Sequence, residues 1–114
     1  MSDEVFASDV RIVISTAPDA EAALRLGRVL VEERLAACVN VVPGVRSIYR
    51  WKGAIEEADE VMVVFKTTAA AVPALAERLA ALHPYEVPEV LALEPAAGTE
   101  AFLTWIGASV APPV

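Results

Sequence analysis

The middle of the chain holds two long extended runs joined at Lys52-Gly53, reading ACVNVVPGVRSIYRWKGAIEEADEVMVVFKTT. Val39, Val41, Val42, Val45, Ile48, Tyr49 and Trp51 on the first arm suit a pleated surface, as do Val61, Met62, Val63, Val64 and Phe65 on the second. Lys52-Gly53 predicts a tight turn, because glycine accepts the positive φ that hairpin turns demand. Each arm holds about a dozen residues and, at about 3.3 Å per residue, extends roughly 40 Å. A compact domain of this length has a radius of gyration near 13 Å and a diameter of only about 35 Å. The hairpin therefore fills or overshoots its own domain. Pro43-Gly44 interrupts the first arm at a point where a bulge would bend it.

The flanking segments supply a frame for this hairpin. Val10 to Ser15 (VRIVIS) reads as a central, buried strand. Thr16 to Asp19 then opens a helix, with Thr16 as the expected cap and Pro18 in the first turn. That helix runs to about Leu35. Ala20, Ala23, Leu24, Gly27, Leu30, Val31 and Leu35 recur on one stripe, and Glu21, Arg25, Arg28 and Glu32 lie opposite. A second helix is expected from about Ala70 to His83, with Val72, Leu75, Ala76, Leu79 and Leu82 inward, stopped by Pro84. Glu86 to Glu94 (EVPEVLALE) is the next strand, with Pro88 near its start or on an edge. Thr99 opens a short last helix that holds Phe102, Leu103, Trp105 and Ile106. The order predicts an α+β fold, a ferredoxin-like βαββαβ antiparallel sheet with two helices on one face plus a short C-terminal helix. The expectation is a single domain over residues 1–114, structured over about 9–108 with loose ends.

Composition limits the partners. Hydrophobic residues make up 56% of 114, and the mean hydropathy is +0.50. No window approaches the roughly 18 uninterrupted apolar residues of a membrane span, so the surplus points to a subunit interface and an oligomer. A formal charge of −7 argues against phosphate backbones and anionic membranes, hence no nucleic acid and no membrane partner. Cys38 is the only cysteine, which excludes an internal disulfide and suits a reducing compartment. Met1 to Ser8 lacks the basic start and apolar run of a signal peptide, so a cytoplasmic location is expected.

Chemistry-bearing motifs are sparse. GxGxxG, P-loop, CxxC, HExxH and GxSxG are all absent. One histidine and one cysteine fall short of the three or four ligands of a tetrahedral zinc site within one chain. Cys38, in a helix-to-strand junction, reads either as a small buried hydrophobe or as a thiolate ligand. His83 ends a helix, where it caps the last carbonyls or else serves as a metal ligand or acid–base group. Lys66 closes a strand, snorkelling to solvent or facing a cleft. Tyr85 and Glu86 read equally as turn residues or pocket lining. Glu56, Glu57, Asp59 and Glu60 read as a solvated charged face in preference to a hard-cation site. Trp51, at the tip of an overhanging hairpin between Arg50 and Lys52, is expected to pack on a partner subunit.

LAACVN, SIYRWKG, Glu60, Lys66-Thr67, HPYEVPE, FLTWI and the earlier TAPD together resemble the CutA divalent-cation tolerance family, in order and over nearly the whole chain. The resemblance implies a ferredoxin-like subunit in a tight homotrimer whose hairpin strands pair across subunits. It implies a non-catalytic role in tolerance of divalent cations, with copper as the metal and zinc the lesser alternative. Cys38 and His83 match positions considered for metal binding; Trp51, Lys66, Tyr85 and Glu89 match positions expected around an inter-subunit cleft. Ser15 and Arg78 stand where some relatives carry cysteine, and Phe102 where tyrosine is common. The missing sulfurs argue against a soft, high-affinity copper site and leave Cu(II) on histidine and carboxylate.

Two other functions belong to different classes. A signalling module would bind a small anionic metabolite in the inter-subunit cleft, greeted by Lys66, Arg50 and Tyr85. A hydrolase of acyl phosphates would need a phosphate-cradling loop after the first strand, and no glycine-rich loop stands there.

Overall fold

The long hairpin sets the proportions of the molecule. A computed structural model describes residues 4–112 and contains β1 (Val10–Ala17), α1 (Ala20–Glu32), β2 (Cys38–Trp51), β3 (Ala54–Thr68), α2 (Val72–Leu82), β4 (Leu91–Leu93) and α3 (Glu100–Ser109). The strands form one antiparallel sheet in the order β2-β3-β1-β4, the expected ferredoxin-like arrangement. The chain measures 53 × 26 × 23 Å, so β2 and β3 do project beyond the body.

Lys52 and Gly53 have φ values of 50° and 82°. Positive φ at both central residues is the requirement of a type I′ turn, whose twist matches that of the strands it joins. Along β2 the pairing passes from Val42 opposite Met62 to Val45 opposite Glu60. Pro43 and Gly44 thus share the single opposing residue Val61, a bulge in which Gly44 takes a φ of 83°. The extra residue changes which face the odd-numbered side chains of β2 occupy. Val39 and Val41, before the bulge, pack toward the helices. Ser47, Tyr49 and Trp51, after it, share the other face with Glu60.

The main core lies between the sheet and α1 and α2. Val13, Ala17, Val63 and Phe65 from the strands meet Leu26, Leu30, Leu75 and Leu79 from the helices, all fully buried. Period-2 alternation on the strands and a three-to-four step on the helices supply these faces. Gly27 lets α1 approach β2 closely, since a Cβ there would lie 2.6 Å from Val39 Cγ1.

Three local expectations are corrected. Asp19, not Thr16, caps α1, its Oδ1 accepting the Ala22 N–H at 2.8 Å; β1 runs on to pair Thr16 with Met62 and Ala17 with Val61, which keeps Thr16 in the sheet. Leu24 lies on the exposed side of α1, because the buried stripe is Ala22, Ala23, Leu26, Gly27 and Leu30. The strand expected over Glu86 to Glu94 contracts to Leu91–Leu93, paired with Ile12–Ile14; Pro84 and Pro88 have no N–H to offer a ladder. In α3, capped by Thr99 as expected, Leu103 and Ile106 are buried while Phe102 and Trp105 face outward and stack at 5.7 Å.

The C-terminal end of α3 is held by Arg34. This residue sits just past α1 in the left-handed region, φ 59°, and its guanidinium donates to the Ala108 and Ser109 carbonyls at 3.0 and 3.3 Å. A cation at a helix C-terminus meets the negative end of the helix dipole.

Candidate functional site

A cleft of about 470 Å³ opens where the overhanging hairpin meets the loop between α2 and β4. Its lining includes Ser47, Tyr49 and Trp51 from β2, Glu60 from β3, and Tyr85, Glu86 and Glu89 from the loop. The bulge places the β2 side chains here, and the two prolines hold the loop out of the sheet so that it can form the opposite wall.

His83 organises that loop. Its ring Nε2–H donates to the Thr16 carbonyl at 2.7 Å, and its Nδ1 accepts the Tyr85 N–H at 3.0 Å. Both nitrogens are engaged, which selects the neutral Nε2–H tautomer. His83 as a whole is only 8% exposed. His83 does follow the last turn of α2, as expected, but its ring reaches across to β1 instead of folding back on its own helix.

Tyr85 packs its ring 4.8 Å from that of His83 and donates its hydroxyl to Glu60 Oε2 at 2.7 Å. Burial, then the hydrogen bond to Glu60 and the charge of that carboxylate, push the phenol well above its ordinary range, so it stays a neutral donor. Glu60 is only 8% exposed, which corrects its reading as part of a solvated face. Strand alternation separates it from Asp59, which points the other way and pairs with Arg46 at 3.0 Å.

Of the sequence-predicted cleft residues, Trp51, Tyr85 and Glu89 line this site and Lys66 does not. Lys66 hydrogen-bonds Asn40, opposite Cys38 and Ile12 in the register. Cys38 is a half-buried free thiol. Thr16, which His83 touches, lies four residues further along β1 than Ile12, so Cys38 and His83 stand at least about 13 Å apart along the sheet. Among the described residues, no three His, Cys, Asp or Glu side chains gather as a metal site would require. Ser47, Tyr49, Glu60 and Thr16 were not anticipated in the cleft; the sequence signal for Ser47 and Tyr49 is alternation read through the Pro43-Gly44 interruption, and for Glu60 it is alternation against Val61, Val63 and Phe65.

The fold and the cleft together define a ferredoxin-like domain with an overhanging hairpin and an acidic, aromatic cleft along its side. The profile of the CutA1 divalent ion tolerance protein family matches residues 11–109. The divalent-cation tolerance protein CutA of Thermus thermophilus is 52% identical over 95 residues, which cover 83% of this chain and 92% of that protein. A crystal structure of CutA from Xylella fastidiosa, 47% identical, superposes with a TM-score of 0.88 over 90% of this chain and 99% of its own. Protein CutA of Mus musculus is 48% identical over 91 residues, 80% of this chain, and the matched part spans about half (51%) of that longer relative. The chain belongs to the CutA1 divalent ion tolerance family, whose name describes a tolerance protein and no reaction.

Proposed function

We propose that the protein acts non-catalytically in divalent-cation tolerance, as a homotrimer that binds copper-type ions at sites shared between chains. The observation that carries this reading is the mismatch between the family's ion chemistry and the donors of one chain. Cys38 and His83 lie far apart, and among the described residues no three-ligand cluster exists. A site built on either residue must recruit donors from another copy. Cys38 is the readier ligand, since His83 must surrender a hydrogen bond to reach a metal. Zinc, which wants a closed tetrahedral set, fits less well than copper.

Uncovered apolar surface supports the assembly. Leu91 on the edge strand is 59% exposed, and Ile48 and Ile55 on the overhang are 67% and 68% exposed. Apolar side chains beside unpaired strand edges favour a second copy of the same chain. A cytoplasmic setting, which keeps Cys38 reduced, fits this reading.

Native mass spectrometry with and without a slight excess of copper or zinc tests it. The expected species has the mass of three 12.1 kDa chains plus whole metal ions, and loses the ions when Cys38 and His83 are both changed to Ala. A monomer overturns the assembly, and a trimer that retains no metal overturns the ion site.

A further inference from the structure

We infer that the cleft beside the hairpin binds an organic cation, an amine or quaternary ammonium of metabolite size. Its walls present the carboxylates of Glu60, Glu86 and Glu89 and the rings of Tyr49, Trp51 and Tyr85. Carboxylate charge combined with aromatic faces is the chemistry that recognises ammonium groups, because ring quadrupoles attract a cation that is poorly able to coordinate.

Two observations favour a positively charged ligand. Glu60 is more than nine-tenths buried, and Tyr85 satisfies only its Oε2. Its Oε1 has no hydrogen-bond partner among the described residues, yet it is not sealed off from the cleft. That oxygen meets solvent in the cleft, where an ammonium donor can take the place of water. The second observation is Lys52. Its Nζ stands 5.5 Å from the centre of the Trp51 ring and 3.9 Å from Glu86 Oε2, so the chain already places one ammonium on the rim. Lys52 and Glu86 are 72% and 73% exposed, which makes that contact weak and displaceable.

Size and donor type select among cations. The cleft, at about 470 Å³, falls within the range of small-molecule sites and greatly exceeds the room a bare ion occupies. Hard cations want a shell of six or more oxygens, which dispersed carboxylates do not supply, and aromatic faces provide no ligand atoms. An anionic metabolite meets three carboxylates, while Lys66 and Arg50 lie outside the lining. The residues named here come from one chain, and the inference does not use the metal reading.

The test titrates the protein, in whatever assembly it forms, with tetramethylammonium chloride and n-butylammonium chloride against sodium chloride at equal ionic strength. A Trp105→Phe background isolates the fluorescence of Trp51. A saturable change with either ammonium is expected. By calorimetry, Trp51→Leu and Glu60→Gln should each weaken binding about tenfold, and Lys52→Ala should strengthen it by removing the competing ammonium. Thermal unfolding verifies that the variants fold; Glu86→Gln, at an exposed position, serves if Glu60→Gln does not. No saturable response to either ammonium overturns the inference, as does affinity unchanged by these variants. Saturation by sodium citrate instead overturns it too. A copper response without an ammonium response sustains the metal reading and overturns this one.

Discussion

The Tyr85 hydroxyl reaches Glu60 Oε2 across 2.7 Å, tying the loop after α2 to the middle of β3. Tyr85→Phe leaves that buried carboxylate without its donor. Because Tyr85 is only half-buried, water replaces part of the loss, and the expected cost is about 1–2 kcal/mol. Urea unfolding at neutral pH measures it; a variant as stable as the wild type would show that the bond contributes nothing net.

The same residue gives an alkaline signature. Its folded-state ionisation lies above that of an unfolded tyrosine, chiefly through burial and the bond to Glu60. The folded chain therefore holds a proton that the unfolded chain releases. This contribution is intact below about pH 10, the unfolded value, and is lost as pH rises beyond it. The stability advantage of wild type over Tyr85→Phe should narrow from about pH 10 upward. Paired unfolding curves at pH 8 and pH 10.5 would record the narrowing, and a constant gap would contradict it.

Gly27 and Val39 should couple. A methyl group on Gly27 would meet Val39 Cγ1 at 2.6 Å, and the β-branched valine has little rotamer freedom with which to retreat. Gly27→Ala is expected to cost about 1–3 kcal/mol by overpacking. Combined with Val39→Ala, the new methyl finds space, so the double variant should be more stable than the sum of the two single changes implies. A double-mutant cycle by chemical denaturation checks the sign; strict additivity would mean that the helix moves away freely.

Thr67 is fully buried, and its hydroxyl donates to the Leu35 carbonyl at 2.6 Å, fastening the chain after α1 to β3. Thr67→Val keeps the shape and removes the donor. The expected loss is about 1–3 kcal/mol, most of it from the stranded carbonyl. A shift of the thermal midpoint by several degrees is the readout.

The hairpin was legible because its evidence is local. β-Branched runs, Lys52-Gly53 and Pro43-Gly44 sit within the segment they describe, and turn, bulge and overhang all follow from them. What escaped was decided by partners remote in sequence. Thr16 and Asp19 are both competent caps, and the choice fell to Asp19 because Met62 and Val61 extend β1 past Thr16. Glu60 closes a run of acids that looks uniformly solvated, and only the loop carrying Tyr85 buries it. Within one chain Trp51, Tyr85 and Glu89 meet in a cleft with acidic companions while Lys66 stands beside Asn40, an arrangement that depends on register. Cys38 and His83, adjacent as candidates, are separated by about half the length of β1.

The bulge at Pro43-Gly44 lets one strand obey two masters. Its first half answers to the helices, through Val39 and Val41, and its second half answers to the cleft, through Ser47, Tyr49 and Trp51. Because the extra residue absorbs the change of phase, neither half constrains the alternation of the other. The distal hairpin, from Val45 around the turn to Asp59, is in effect an exchangeable cassette. Its cleft-facing side chains can be recoded for a different ligand while the core keeps its register.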